Sequence, residues 1–392
     1  MEDFPAGPAS PAPRRPPLSI VIPVYNGGPD FERCLRGVRS NSGIEYEIVV
    51  VDDGSTDGSA AVAERFGARV LRNETARGPA AARNAGAEAA LAPIVFFLDA
   101  DVELHPDALK KALARFESHP RIDALFGSYD DQPAAPGLVS RYRNLLHHYV
   151  HQQGEFIDEA RPAHTFWTGC GAIRRDVFLG LGGFDPSLYR RPAIEDIELG
   201  YRLSRSGYVV NLVRDIQATH LKRWTLRSVL MTDIFHRGLP WMLLMLRSRT
   251  AESDLNVSQS QRASVAATGM SLAAIPLAIK SPIAGLVPLA ALVWIAILNR
   301  DFYRFLARKR GWGFAFAAFP LHYAYFCCCG ASVALALVVK NLPRFGQMRP
   351  RNTSVRTEPG ETAVPAPKTS TSNSPSPSSV KTRNSSPWNG NP

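Results

Sequence analysis

The stretch Ile94-Val-Phe-Phe-Leu-Asp-Ala-Asp101 decides the fold of this chain. Its five leading apolar residues are rich in β-branched and aromatic side chains, which is typical of a buried strand in a parallel sheet. Two carboxylates, Asp99 and Asp101, follow at the end of the predicted strand. Ligands of open α/β sheets bind at such ends, where both carboxylates could reach a divalent cation and the diphosphate that it neutralises. The alternative is that Asp99 caps a helix that begins near Pro106.

The residues on either side of this stretch alternate between strand patterns and helix patterns. Apolar runs at residues 18–25 and 46–51 predict two further buried strands, and a short strand is predicted at 68–71. Helical patterns at 57–66 and 78–90 separate these strands. Such alternation is typical of right-handed βαβ crossovers. The sequence therefore predicts an α/β fold with a mostly parallel sheet and flanking helices.

Polar residues follow the second predicted strand and the start of the next long helix. Asp52 and Asp53 could accept hydrogen bonds from a base N–H and a ribose hydroxyl, or they could form an Asx turn or helix cap. Arg77, Arg83 and Asn84 flank the helix at 78–90, where guanidinium donors could contact a nucleotide base or phosphate. Solvation at the surface is the alternative for both arginines.

Two later segments each allow a structural and a chemical interpretation. The residues at 133–163 include His147, His148 and His151, which could bind a metal, but no carboxylate or cysteine accompanies them at ligand spacing. We expect them to form one face of a helix. Glu195 and Asp196 open a predicted amphipathic helix, where acidic side chains complement the helix dipole. The functional alternative is that one of them points into the cleft as a general base.

Six motifs occur in a fixed order along the first part of the chain. They are Ser19-Ile-Val-Ile-Pro-Val-Tyr-Asn26, Val50-Val-Asp-Asp-Gly-Ser-Thr-Asp-Gly58, Ala82-Arg-Asn-Ala-Gly86, Phe97-Leu-Asp-Ala-Asp101, Gly182-Gly-Phe-Asp185 and Glu195-Asp196. This ordered set resembles the family 2 glycosyltransferases with the GT-A fold. The resemblance covers residues 18–224.

The resemblance implies an inverting transfer of a sugar from a nucleoside diphosphate sugar, with a UDP-sugar as the expected donor and Mg²⁺ or Mn²⁺ as the cofactor. By matching, Asp101 resembles the direct metal ligand and Asp99 the residue near the ribose and the metal. His220 stands where many relatives supply a further metal or diphosphate contact, and a structural role is its alternative. Asp196 resembles the base that deprotonates the acceptor hydroxyl, while Glu195 orients the base or the acceptor.

The resemblance also implies a set of donor-binding residues at the ends of the first strands and the start of the helix at 78–90. These are Pro23, Tyr25, Asp52, Asp53, Arg77, Arg83, Asn84 and Asp99.

The chain changes character after residue 224. Residues 225–262 predict interfacial amphipathic helices, and apolar runs at 263–279, 282–298 and 314–339 predict membrane spans within a region that ends at 340. A buried helical hairpin or a re-entrant pair is the alternative for the first two runs, because prolines interrupt them. We expect residues 1–17 and 341–392, which are rich in Pro, Ala, Ser and Thr, to be disordered.

The charge pattern indicates a membrane rather than a nucleic acid as partner. Much of the net charge of +10 lies after Arg214, and no basic stripe interleaved with aromatics precedes it. The predicted loop at 299–312 is basic, which places it and the catalytic domain in the cytoplasm. A third crossing would put the basic residues after 339 outside, so the number of crossings stays open. The five cysteines show no disulfide or zinc spacing.

These patterns predict a membrane-anchored glycosyltransferase that acts on a lipid-linked or membrane-proximal glycan acceptor. Two alternatives remain, a processive polysaccharide synthase and a non-catalytic nucleotide-sugar-binding membrane protein. Processive synthases carry a Q-x-x-R-W element, whereas here five residues separate Gln217 from Arg223-Trp224. The sequence argues against a dehydrogenase, because no G-x-G-x-x-G follows the first strand.

Overall fold

The computed structural model describes residues 15–189, 191–248 and 258–341. The strands of this part are β1 (Leu18–Val24), β2 (Tyr46–Asp52), β3 (Arg69–Arg72), β4 (Ile94–Leu98), β5 (Val102–Leu104), β6 (Ala124–Tyr129), β7 (Ala160–Pro162), β8 (Cys170–Arg174) and β9 (Val210–His220). The helices are α1 (Gly28–Ser40), α2 (Ser59–Arg65), α3 (Pro79–Ala89), α4 (Ala108–Ser118), α5 (Leu138–His151), α6 (Arg175–Gly180), α7 (Glu195–Arg205), α8 (Leu226–Met231), α9 (Leu239–Ser248), α10 (Gln259–Lys280), α11 (Leu286–Leu298), α12 (Arg300–Arg310) and α13 (Trp312–Val339). A π-helical segment, Thr232–Gly238, joins α8 to α9.

The strands form one sheet in the order β3-β2-β1-β4-β8-β6-β9-β5, with β7 paired to β9. The first half is parallel, as the alternation of strands and helices predicts. The second half is mostly antiparallel: β8 runs antiparallel to both β4 and β6, and β5 and β7 run antiparallel to β9, while β6 and β9 are parallel. The expectation of a mostly parallel sheet is therefore wrong, and the α/β sheet is mixed. Buried strands are apolar throughout in either direction, so their sequences do not reveal the direction of pairing.

Strand β4 lies at the centre of this sheet, between β1 and β8. All five of its residues are buried, and the ring of Phe97 packs 5.1 Å from Phe178 and 5.6 Å from Phe184. The chain leaves β4 through Asp99 and Asp101 and enters β5, which pairs with the end of β9 so that Val102 lies opposite His220. The backbone N–H of Leu221 donates to the carbonyl of Asp101 at 2.9 Å. This pairing brings the middle of the sheet domain's sequence next to its C-terminal end.

The C-terminal helices pack against α5 of the sheet domain. Phe302, Phe305 and Leu306 of α12 and two alanines of α13 form an apolar cluster with residues of α5. The residues at 133–163 that we expected to be helical do contain α5. By contrast, the expected loop at 299–312 is wrong, because α12 occupies most of it. Its apolar residues recur at helical spacing and face the cluster, while its arginines and lysine are solvated.

One helix of the described residues, α13, is by itself long and apolar enough to cross a membrane. The helical segments 283–298 and 300–310 are long and apolar enough to cross a membrane only when they are taken together, and their axes differ by 68°. The predicted span at 314–339 lies within α13, and the predicted runs at 263–279 and 282–298 lie in α10 and in α11 with the turn before it. The predicted disordered segments fall almost entirely outside the described residues.

Candidate active site

Asp101 and His220 face each other at the carboxyl end of β4. His220 Nε2 lies 3.6 Å from Asp101 Oδ2, and Nδ1 of the same ring lies 2.8 Å from Oδ1 of Asn144 on α5. This contact orients the ring and turns Nε2 towards Asp101. Burial by itself raises the pKa of Asp101, but the neighbouring imidazole outweighs it and lowers this pKa to about 2. Asp101 is therefore ionised at neutral pH.

The two side chains together suit a divalent cation. A carboxylate and a neutral imidazole are ligands that Mn²⁺ and similar ions accept. Among the described residues, no group of three acidic, histidine or cysteine side chains converges closely enough to hold a metal. Asp101 and His220 could supply two ligands, and phosphate oxygens of a bound nucleotide would complete such a site. Metal binding by Asp99, Asp101 and His220 stays a prediction.

Asp99 is engaged by Arg83 rather than by His220. Arg83 Nη2 lies 2.7 Å from Asp99 Oδ1, and Nη1 of the same guanidinium lies 2.8 Å from Glu195 Oε1. The arginine is buried, and although burial lowers its pKa, the carboxylates of Asp99 and Glu195 raise it above the ordinary value. Arg83 was predicted to contact a nucleotide or solvent. The structure instead gives it two carboxylate partners, one from each side of the site.

Asp52 and Asp53 stabilise the loops that line the end of the sheet. Asp52 Oδ1 accepts from the N–H of Ser55 at 2.8 Å. Asp53 accepts from the N–H groups of Arg77 and Gly78 at 2.8–3.0 Å, and from the Asn73 amide at 2.7 Å. The predicted Asx-type turn is therefore present. Nucleoside binding by the same carboxylates stays a prediction.

The remaining predicted donor contacts differ in their accessibility. Tyr25 is 60% exposed at the end of β1, next to the end of β2, and Pro23 is half-buried in β1. The side chain of Arg77 is exposed. Asn84 points elsewhere, because its amide both donates to the carbonyl of Phe184 and accepts from the N–H of Phe184, each at 2.9 Å. Asn84 thus fixes the loop 182–185 against α3.

Glu195 and Asp196 begin helix α7 beside this network. Glu195 is buried, and its second carboxylate oxygen accepts from the N–H of Ala193 at 3.0 Å. Asp196 is partly buried, and its Oδ2 lies 3.4 Å from the N–H of Thr168. Burial, followed by the negative charge of Glu195, raises the pKa of Asp196 to about 6. A carboxylate with such a pKa can hold and release a proton near neutral pH.

Asp196 lines a cavity of about 470 Å³ between the sheet domain and the C-terminal helices. The sheet domain contributes α5, α7 and the segment 165–167, and the opposite wall comes from the π-helical segment, α9, α10 and α13. Asp101 is not one of the lining residues. Ring contacts connect the two places: Tyr129 stacks on His220 at 4.4 Å, and it also contacts His147 and Trp167, which line the cavity.

Several residues in this arrangement could not be identified from sequence patterns. Asn144, Tyr129, Trp167 and Arg237 belong to no motif. The helical spacing of His147 and His151 was a usable signal, since it places both on one face of α5. That face looks onto Trp167 and into the cavity, with His147 5.0 Å from the tryptophan.

The mixed sheet and the positions of the motifs on it are those of the GT-A class of glycosyltransferase folds. Residues 19–182 match the family model described as glycosyl transferase family 2.

Several known proteins are similar to this chain. An uncharacterized protein of Mycobacterium tuberculosis is 33% identical over 204 residues, which cover 49% of this chain and 63% of the relative. Validoxylamine A glucosyltransferase of Streptomyces hygroscopicus is 31% identical over 237 residues, which cover 52% of this chain and 56% of the relative. The chain thus spans less than two thirds of the length of these relatives. Among solved structures, a mannosyltransferase of Pyrobaculum calidifontis in complex with GDP-Man and Mn²⁺ is 18% identical with a TM-score of 0.46, covering 85% of this chain and 88% of that chain.

Proposed function

We propose that this chain is an inverting glycosyltransferase that uses a nucleoside diphosphate sugar, with Asp196 as the general base. The observation that carries the proposal is the position of Asp196. Its pKa is raised to about 6, it faces a cavity large enough for an acceptor, and it follows Glu195, which Arg83 joins to Asp99. An in-line displacement requires a base that does not bind the metal, and Asp196 is separate from Asp101 and His220.

The donor would lie along the carboxyl ends of β1, β2 and β4. Asp101 and His220 would hold a divalent metal, which supplies charge stabilisation for the departing diphosphate. Asp196 takes the proton from the acceptor hydroxyl. The acceptor oxygen then forms the bond to the anomeric carbon while the bond from that carbon to the nucleoside diphosphate breaks, so the configuration inverts. Arg83 keeps Glu195, and with it the start of α7, in place next to the donor site.

The surface of the C-terminal helices supports a membrane location for this enzyme. Large apolar side chains on α10, α11 and α13 are exposed; they include Leu277, Ile279, Leu286, Leu289, Trp294 and Phe316. A soluble surface rarely exposes so many apolar residues together, whereas a bilayer would cover them. The solvated arginines of α12 suit anionic lipid headgroups. We propose that the sheet domain lies on the cytoplasmic side, where nucleotide sugars are made.

The test uses the full chain in detergent and a panel of nucleoside diphosphate sugars with Mn²⁺, Mg²⁺ or EDTA. We expect one donor to raise Tm in the presence of metal and to be turned over. Asp196→Asn should lower turnover about 10²- to 10⁴-fold while donor protection persists. Asp301→Asn, at an exposed carboxylate of α12, is the control and should change neither. Full turnover in Asp196→Asn would refute the assignment of the base, and no binding of any donor would refute the activity.

A further inference from the structure

The cavity beside Asp196 has two chemically different walls. On the sheet-domain side, His147 Nδ1 and Thr165 Oγ1 are buried without a hydrogen-bond partner in the part of the chain that the structure describes. Buried polar atoms in proteins nearly always have a partner. On the helical side the wall includes Met242, Met245 and Val265. The cavity therefore suits a ligand with a polar end near Asp196 and an apolar remainder.

Three arginines contribute positive charge to the cavity: Arg143 of α5, Arg237 of the π-helical segment and Arg262 of α10. Arg143 Nη2 lies 2.6 Å from Asp233 Oδ1, so this pair is neutral overall. Arg237 of the π-helical segment makes no ion pair with any carboxylate among the described residues. Arg237 lines the same cavity as Asp196 and His147. Its positive charge lowers the pKa of both of these side chains.

We propose that this cavity binds an acceptor lipid in which a phosphate joins the hydroxyl-bearing group to the hydrocarbon chain. In this arrangement Arg237 binds the phosphate, the hydroxyl faces Asp196, and the chain lies among Met242, Met245 and Val265. The inference rests on the proposed function and adds the chemical class of the acceptor to it.

Each part of such a ligand matches a part of the cavity. A guanidinium without a carboxylate partner favours a phosphate, because charge-assisted hydrogen bonds are stronger than neutral ones. His147 and Thr165 can bind hydroxyls of the headgroup, and burial keeps His147 neutral by lowering its pKa. The cavity is too small for a long hydrocarbon chain, but α10 and α13, which help to form it, also carry the exposed apolar surface. The chain can continue along that surface into the bilayer.

Lysophosphatidylglycerol is a suitable probe because it carries a hydrocarbon chain, a phosphate and free hydroxyls. It is compared with a monoacylglycerol of the same chain, which lacks the phosphate, and with glycerol 3-phosphate, which lacks the chain. Binding to the full chain in nonionic detergent is measured from the rise in Tm and from titration of tryptophan fluorescence. We expect lysophosphatidylglycerol to bind at least about tenfold more tightly than either comparison compound. Equal binding of the monoacylglycerol would overturn the phosphate assignment, and equal binding of glycerol 3-phosphate would overturn the lipid assignment.

Variants locate the phosphate site. Arg237→Gln should weaken lysophosphatidylglycerol binding about tenfold or more, and Arg237→Lys, which keeps the charge, should recover part of it. Arg308→Gln is the matched control, since this exposed arginine of α12 lies outside the cavity. An equal loss in both glutamine variants would show only surface electrostatics and would overturn the proposal, as would unchanged binding in Arg237→Gln.

The result is separable from that of the proposed function. The rise in Tm caused by a nucleoside diphosphate sugar and metal reports on the donor site at the carboxyl ends of β1, β2 and β4. It does not require the lipid. Retained donor binding and turnover without selective binding of the phospholipid would overturn the acceptor class alone. Selective phospholipid binding without any donor binding would refute the transferase activity instead.

Discussion

Arg83 Nη1 lies 2.8 Å from Glu195 Oε1, although the two residues are 112 positions apart in the sequence. The same guanidinium reaches Asp99 at the end of β4. Helix α3 thus joins the strand end that carries the acidic motif to the first turn of α7, which carries the proposed base. Because both the arginine and Glu195 are buried, neither charge can be left unpaired without a large cost.

Replacing Arg83 should therefore destabilise the protein. Arg83→Met leaves a buried carboxylate without its partner, which typically costs about 3–5 kcal/mol and corresponds to a fall in Tm of about 6–20 °C for a domain of this size. The measurement is the Tm of the full chain in detergent. Arg33→Met is the control, because Arg33 and Glu103 form an ion pair with half-exposed side chains, worth about 0–1 kcal/mol. Similar shifts in the two variants would contradict a special role for Arg83.

The pKa of Asp196, about 6, predicts the pH dependence of activity. Below pH 6 the base is protonated, so kcat/KM should fall about tenfold per pH unit. Arg237→Gln removes a positive charge that lowers this pKa, so the midpoint should move to higher pH. Arg308→Gln should leave the midpoint in place. A pH profile that is flat between pH 5 and 7 would contradict the assignment of the base.

Protonation of Asp196 also affects stability: it lowers activity but raises the free energy of unfolding. The pKa of Asp196 in the folded protein exceeds the ordinary value of about 4, so the folded state holds the proton more tightly between these two values. Its contribution to the free energy of unfolding is fully present below pH 4 and is lost as pH rises through 6. In Asp196→Asn this contribution to the pH dependence of Tm should disappear.

The strands, the parallel half of the sheet and the acidic motifs could be predicted because they depend on local patterns. The apolar run of β4 followed by Asp99 and Asp101 needs no distant partner to be recognised. The partners of polar side chains could not be predicted in this way. Arg83 and Asn84 are adjacent in one motif, yet one binds two carboxylates and the other binds the backbone of Phe184. A sequence does not distinguish a solvated arginine from one that is buried and paired across the fold.

Helix α12 and the cavity could not be predicted for a related reason. A basic segment between apolar runs resembles a loop unless its apolar residues are known to face a partner helix. Phe302 and Phe305 gain that partner only when α5 is in place. The cavity likewise exists only between elements that are far apart in sequence, such as α7 and α13.

Gly183 should tolerate no side chain. Its φ of +63° is unfavourable for other residues, and an added Cβ would lie 2.5 Å from Oδ1 of Asn84, the atom that accepts from Phe184. Gly183→Ala should therefore lower the free energy of unfolding by more than about 1 kcal/mol, seen as a lower Tm. Gly180→Ala is the control, since no atom lies within 4 Å of its added Cβ. A neutral Gly183→Ala variant would contradict the described loop geometry.

Asn144 orients His220 through a hydrogen bond. We therefore expect a change at Asn144 to affect metal binding, although Asn144 does not itself bind the metal. Asn144→Ala removes the acceptor 2.8 Å from Nδ1 and should weaken Mn²⁺ binding about 10- to 100-fold, as loss of such supporting contacts usually does. His220→Ala should weaken it at least as much. Mn²⁺ binding is measured by electron paramagnetic resonance on the full chain with a nucleoside diphosphate. Asn144→Asp, which retains an acceptor oxygen, should restore binding, and His119→Ala, at an exposed histidine after α4, should leave it unchanged. If Asn144→Ala binds Mn²⁺ as tightly as the unaltered chain, His220 is not held for a metal.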